Sequence, residues 1–243
     1  MPKYEFESIG YIQTPFKQRF GIPHQPGISK SAKGIIFLEN NPDYLTAIKR
    51  LSDFSHIWII FVFHNHGGNK WKPSIRPPRL GGAEKVGLFA SRSPHRPNPI
   101  GISAVKLDHI LIDDDRVQIH VTGVDLLDGT PILDIKPYIP LADKIDHANQ
   151  GWADIPVKKY PIEITDVAES TFKKIEEDAQ IEIRHFAIEM IQLDPRPAYQ
   201  KRQIPVGPEN VGKKFGLTVK NFDVKYEITK EGFLITAVLP IIE

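Results

Sequence analysis

The chain has 243 residues, of which 41% are hydrophobic and 25% charged, with a formal net charge of +1. That length suits one large or two modest domains with a real core, and the near-neutral balance argues against bulk nucleic-acid binding while leaving room for local charge clusters. The absence of cysteine excludes disulfide scaffolds, Cys-ligated zinc or iron–sulfur centres and cysteine nucleophiles.

In chain order, the N-terminal MPKYEFESIG carries acids and lacks a signal-peptide h-region. No apolar run reaches membrane-spanning length, so a soluble, cytoplasmic protein is expected. Residues 4–12 mix aromatic and β-branched types and predict a strand that stops at Thr14-Pro15. Another short strand is expected at 34–38. A helix is expected at 41–53, with Asn41 as N-cap, Pro42 in the first turn, and Leu45, Ile48 and Leu51 on one face. SHIWIIFVFH (55–64) is almost unbroken in apolar character and reads as a strand buried on both faces. Val117, Ile119 and Val121 alternate with polar residues as a half-buried strand, and 131–139 supplies one more. Strands at this spacing with one convincing helix predict a barrel or sandwich.

The polar stretch LADKIDHANQGWADIPVKKYP (141–161) has no period and reads as a linker. Beyond it, Asp166 and Glu169 offer a capping-box-like start, and Ala168, Phe172, Ile175 and Ala179 share a helical face. Helical spacing continues from Ile183 through Ile191 until Pro195 stops it. Alternation over 222–228 and FLITAVL (233–239) then predict strands. The expected organisation is mainly β: a small β-barrel domain at 1–145, a linker at 146–161, and a small α+β domain at 162–243.

The stretch FASRSPHRPNPIGIS (89–103) holds Arg92 and Arg96 in a loop stiffened by three prolines. Such a loop can aim guanidinium groups at a carboxylate or phosphate. The preceding segment carries Lys70, Lys72, Arg76, Arg79 and Lys85 against Glu84 alone, with Trp71 and Phe89 interleaved. Cations beside aromatics suit unstacked bases, which makes RNA a reasonable partner. His64 and His66, with His56 nearby, lack a visible metal-ligand set, so no metal is expected. His64 reads instead as the cap of a buried strand opening into HNHGG. In DLLDGTP (125–131) a DG turn accounts for Asp128, while Asp125 sits where a strand-end carboxylate could meet a ligand. DPRPAYQKR (194–202) locks Asp194 and Arg196 between prolines, with Tyr199 and Arg202 behind, and reads as RNA or substrate contact. GxGxxG, Walker A and GxSxG signatures are all missing. A non-enzymatic RNA-binding or regulatory barrel and a small-molecule or metal-dependent hydrolase using the histidines stay open on the residues alone.

Taken together, HQPG (24–27), FSHIWIIFVFH (54–64), RPPRLGG (76–82), FASRSPHRPNPIGIS, DLLDGTPILDIKPY (125–138) and DPRPAY (194–199) closely resemble the TrmO, or TsaA-like, family. The resemblance runs in order through nearly the whole chain. It implies a S-adenosylmethionine-dependent tRNA methyltransferase that methylates N6 of N6-threonylcarbamoyladenosine at nucleotide 37. It further implies a homodimer with a small, non-Rossmann β-barrel holding the cofactor. Carried onto this sequence, cofactor contacts fall on Pro26, Gly27, Ile28, His64, Asn65, Arg92, Ile102, Val124, Asp125, Leu126 and Leu127. A base to assist the poorly nucleophilic N6 could be Asp125, Asp128 or Asp194. Arg92 could pair with the methionine carboxylate of the cofactor or with the threonyl carboxylate of the base. RNA contacts are expected from Arg76, Arg79, Arg96, Arg196, Tyr199 and Arg202.

Overall fold

The structure, a computed structural model, describes residues 2–18, 22, 27, 29–65, 70–114, 116–179 and 183–241. Its first unit is built from β1 (Gly10–Gln13), β2 (Lys33–Leu38), the helix α1 (Pro42–Ala47), β3 (His56–Val62), a two-stranded ribbon of β4 (Ser74–Ile75) and β5 (Val86–Gly87), then β6 (Ile100–Asp113), β7 (Arg116–Thr122) and β8 (Thr130–Pro137). Six of these strands close a barrel in the order β1-β2-β7-β6-β3-β8. β8 returns to β1 with Gly10 opposite Ile132 and Ile12 opposite Thr130, so the barrel has no open edge.

Alternation fills the barrel. Ile12, Ile36, Ile57, Ile59, Val105, Ile119, Val121 and Ile132 point inward and are fully buried. The expectation that β3 is buried on both faces does not hold. Ile57, Ile59 and Phe61 are buried, but Trp58, Ile60 and Val62 are only half-covered. In an antiparallel barrel one face meets the core and the other faces outward; Trp58 gains partial cover from the Tyr138 ring, 5.5 Å away. The longest strand, β6, is not foreseen, because its inward positions begin with Gly101 and Ser103 and so hide the alternation. Gly101 makes room there: a Cβ would overlap the Phe61 ring across the β3–β6 pair unless the ring moved.

Two other expectations are corrected. Residues 4–9 form no strand; Tyr4 and Phe6 are exposed, and the barrel takes up the chain only at Ile9, whose amide donates to Ile132 O at 2.8 Å. The helix expected over 41–53 is shorter. Asn41 caps α1 as foreseen, its side chain accepting from the Asp43 amide at 2.9 Å. Arg50 then turns left-handed (φ 65°), and Leu51–Asp53 form a single 3-10 turn.

After a short helix α2 (Pro140–Asp143) and a 3-10 turn at Gly151–Ala153, the second unit begins. It comprises β9 (Ile162–Ile164), α3 (Asp166–Ala179), α4 (Arg184–Gln192), α5 (Ala198–Gln203), β10 (Lys214–Val219), β11 (Phe222–Ile228) and β12 (Phe233–Pro240). Its sheet runs β10-β11-β12-β9, with β12 and β9 parallel. Phe172, Phe186, Met190 and Ile191 from the helices share a core with Val224, Tyr226, Phe233 and Ile235 from the sheet. The start of α3 is held by Thr165, whose hydroxyl accepts from the Ala168 amide at 3.3 Å. Glu169 is therefore no capping-box partner of Asp166; it binds Arg184 Nε at 2.9 Å. The fold is the mainly β barrel with a small α+β unit that the residues predict.

Candidate active site

Antiparallel pairing brings the end of β3, the start of β6 and the β7–β8 turn to one mouth of the barrel. There they line an open cavity of about 950 Å³, at the upper end of the range for small-molecule sites. His64 and Asn65 enter from β3, Ile102 and Ser103 from β6, Asp125, Leu126 and Leu127 from the turn, and Arg92 and Arg96 from the proline loop. The basic segment forms the remaining wall with Lys72, Arg76, Arg79 and Lys85. Val124 is buried beneath the turn. Gly27 lies beside it, its amide donating to Gly123 O at 3.0 Å. Gly123 adopts φ 87° and packs against the Gly27 backbone, a conformation that favours glycine. Pro26 and Ile28 lie outside the described residues.

Asp125 has the most unusual environment in this cavity. Burial pushes its carboxyl up to about 6, opposed by a hydrogen bond from Ser103, its own backbone amide and the Arg92 charge. Ser103 Oγ donates to Asp125 Oδ1 at 2.6 Å from a fully buried position. The carboxyl is thus oriented by the Ser103 hydroxyl, and burial shifts it upward toward the range that suits a general base. Sequence reasoning misses Ser103; its signal is a hydroxyl at an inward position of an otherwise apolar register.

The cations are also positioned. Arg96 donates to Ser91 O at 2.8 Å, with its guanidinium 5.8 Å from the Phe89 ring centroid. Arg79 donates to Ile155 O at 2.6 Å, and Trp152 Nε1 to Ala90 O at 2.8 Å, so the chain around Trp152 and Ile155 is laced to the cavity wall. Trp152 itself lines the cavity, a role its polar surroundings in the sequence do not suggest.

The other candidates are not brought to this cavity. Asp128 accepts from the Thr14 amide at 2.8 Å and from Lys17 at 2.6 Å, which makes it a turn-fastening group. Asp194 and Arg196 are each only 5% exposed and form a two-pronged pair, at 2.7 and 2.8 Å. Arg196 also donates to Ile204 O at 2.9 Å and lies over the Phe215 and Phe233 rings. A guanidinium so enclosed is not available to a phosphate, and its Asp194 partner is not placed to take a substrate proton. Tyr199 is half-exposed on α5. Arg202, also on α5, donates to Gly81 O at 2.9 Å and so ties the second unit to the basic loop.

Residues 11–144 match the tRNA-methyltransferase O N-terminal domain, and residues 157–241 match the TrmO C-terminal domain. The chain belongs to the tRNA-methyltransferase O family. A tRNA (adenine(37)-N6)-methyltransferase of Escherichia coli K12 is 38% identical over 241 residues, covering 99% of this chain and 100% of that protein. RcsF of Pseudomonas aeruginosa PAO1, provisionally named an S-adenosylmethionine-dependent methyltransferase, is 37% identical and covers 90% of each chain. A crystal structure of TrmO from Pseudomonas aeruginosa superposes with a TM-score of 0.78 at 28% identity, covering 98% of each chain. The barrel, the small α+β unit and their order along the chain are therefore those of the TrmO family.

Proposed function

We propose that this protein transfers a methyl group from S-adenosylmethionine to N6 of N6-threonylcarbamoyladenosine at nucleotide 37 of tRNA. The E. coli relative, similar over its full length, supports adenine 37 and N6; the RcsF relative supports the donor; the threonylcarbamoyl group rests on the motif resemblance. The observation that carries the chemistry is Asp125, held by Ser103 and raised to about 6 at the mouth of a cationic cavity.

The lining fits the donor. Arg92 offers a cation for an amino-acid carboxylate, and Ile102, Leu126 and Leu127 offer apolar walls. S-adenosylmethionine supplies an already electrophilic methyl group, so the protein's task is placement. Holding two reactants in line can contribute roughly 7–11 kcal/mol. Asp125, mostly ionised at neutral pH, would accept the N6 proton as the methyl group passes to N6, and the sulfonium would depart as the neutral thioether. Arg76, Arg79 and Arg96 face the RNA backbone, and Tyr199 and Arg202 extend that surface onto α5. The same reading places the protein in the cytoplasm as a homodimer; among the described residues no helix is long and apolar enough to cross a membrane. Equilibrium sedimentation tests the dimer, and a monomer at micromolar concentration would remove it.

The deciding experiment offers labelled S-adenosylmethionine with anticodon stem-loop RNA, with and without the threonylcarbamoyl group. Label only in the threonylcarbamoylated RNA is the expected result. Label in both would overturn the substrate assignment, and label in neither would overturn the reaction.

A further inference from the structure

One helix of the second unit touches the chain at two places, at Phe16 and at Ser29–Ser31. At the first, the Phe186 ring packs on Phe16 with centroids 5.4 Å apart. At the second, Glu189 Oε2 accepts from Ser29 Oγ at 2.7 Å, Ser31 Oγ at 2.6 Å and the Ser31 amide at 3.2 Å. Phe186 and Glu189 stand three apart on α4 and so share a face. Ser29 is fully buried. Burial alone would raise the Glu189 carboxyl, but the Ser31 and Ser29 bonds and nearby His185 hold it below its usual range. It is an ionised acceptor at neutral pH, and hydrogen bonds to an ionised acceptor are the strong ones.

The same two stretches grip the turn that carries Asp125. From the first, Thr14 Oγ1 donates to Leu126 O at 2.9 Å, and the Asp128 amide donates to Phe16 O at 2.9 Å. From the second, the Gly27 amide donates to Gly123 O at 3.0 Å, and the Gly123 amide donates to Ala32 O at 2.8 Å. The turn from Gly123 to Asp128 is therefore clasped between two segments, and α4 touches both.

We infer that Glu189 is a positioning residue for methyl transfer: through Ser29 and Ser31, the C-terminal unit sets Gly27 and Ala32 against the Asp125 turn. The inference rests on the methyltransferase reading above and deepens it. It gives the C-terminal unit a task in the cofactor site, separate from any contact with RNA. Glu189 itself does not line the cavity.

Full-length Glu189→Ala, Ser29→Ala/Ser31→Ala, and the three changes combined test this. S-adenosylmethionine affinity is read by calorimetry, KM for each substrate by the stem-loop assay, and folding by circular dichroism. Expected is a roughly tenfold weaker cofactor affinity in each variant, with the combination no worse than Glu189→Ala, because that change already removes the acceptor of both hydroxyls and of the Ser31 amide. KM for RNA should stay within about twofold, and Glu189→Gln, which keeps an acceptor oxygen, should recover part of the affinity. Additive losses would overturn the shared contact, as would equal rises in both KM values. If Glu189→Ala does not fold, the serine pair decides: a folded Ser29→Ala/Ser31→Ala protein with wild-type cofactor affinity overturns the inference alone. A wild-type protein that takes up no S-adenosylmethionine overturns the functional reading first.

Discussion

Asp125 concentrates the chemistry in one carboxyl group. Asp125→Asn should lower methyl transfer by about 10²–10⁴-fold while leaving calorimetric S-adenosylmethionine affinity nearly intact. Wild-type activity should rise with pH through about 6, where this carboxyl loses its proton. Ser103→Ala removes a bond that lowers the Asp125 value, so the rise should move to higher pH; an unmoved profile would detach Asp125 from the titration. The same group also links pH to stability. Its folded value of about 6 lies above the ordinary 3.8, so its contribution is complete below about pH 4 and lost as pH rises through 6. At pH 8 Asp125→Asn should therefore gain up to about 3 kcal/mol in urea unfolding. Arg196 is the opposite case. Its enclosure with Asp194 predicts that Arg196→Ala costs about 3–5 kcal/mol of stability by leaving a buried carboxylate unpaired. A melting temperature unchanged from wild type would return Arg196 to the surface roles its sequence suggests.

Pairing of β3 with β6 decides the shape of the cavity. Phe61 lies over Gly101, and both line the cavity mouth. Gly101→Ala must push the ring or the strand aside. Overpacking of this kind costs about 1–3 kcal/mol, and here it should also weaken cofactor affinity, since the displaced ring faces the site. Calorimetry and urea unfolding on one variant check both, and loss of stability with unchanged affinity would separate the strand pair from the site. The proline loop that feeds β6 is held by more than its prolines. Arg96 closes it on Ser91 O, and the Lys72 amide joins it to His95 O at 3.1 Å. Rigidity of the loop is thus shared between backbone restriction and the basic segment it faces.

Charge is distributed unevenly over the whole molecule. A net charge of +1 conceals six cations, Lys72, Arg76, Arg79, Lys85, Arg92 and Arg96, around one cavity. Counterion release then makes RNA binding steep in salt: four phosphate contacts correspond to a log–log slope of about −3 for single strands. Fluorescence anisotropy with the stem-loop across a salt series checks this, and a flat slope would remove the phosphate role. The two units meet outside the cavity lining, through Arg202 on the basic loop and Glu189 on the serine segment.

The sequence by itself determined the β-rich barrel, the α+β unit after a polar stretch, the Asn41 cap, the basic-aromatic wall and the family resemblance. These are local signals: period-two alternation, capping chemistry, proline restriction and long motifs all act over a few neighbouring residues. Only the tertiary structure decided which of three aspartates faces the cavity. Asp125, Asp128 and Asp194 all stand at turns in the sequence, and their difference lies in partners more than ten residues away or in enclosure by the core. Ser103 joins Asp125 across 22 positions, Thr14 joins Asp128 across 114, and Glu189 reaches Ser29 across 160. Arg196 looked like a surface cation because prolines flank it, yet the β10 and β12 aromatics that enclose it lie beyond any local window. Burial and long-range hydrogen bonding separate a reactive carboxylate from a structural one, and both are properties of the folded chain.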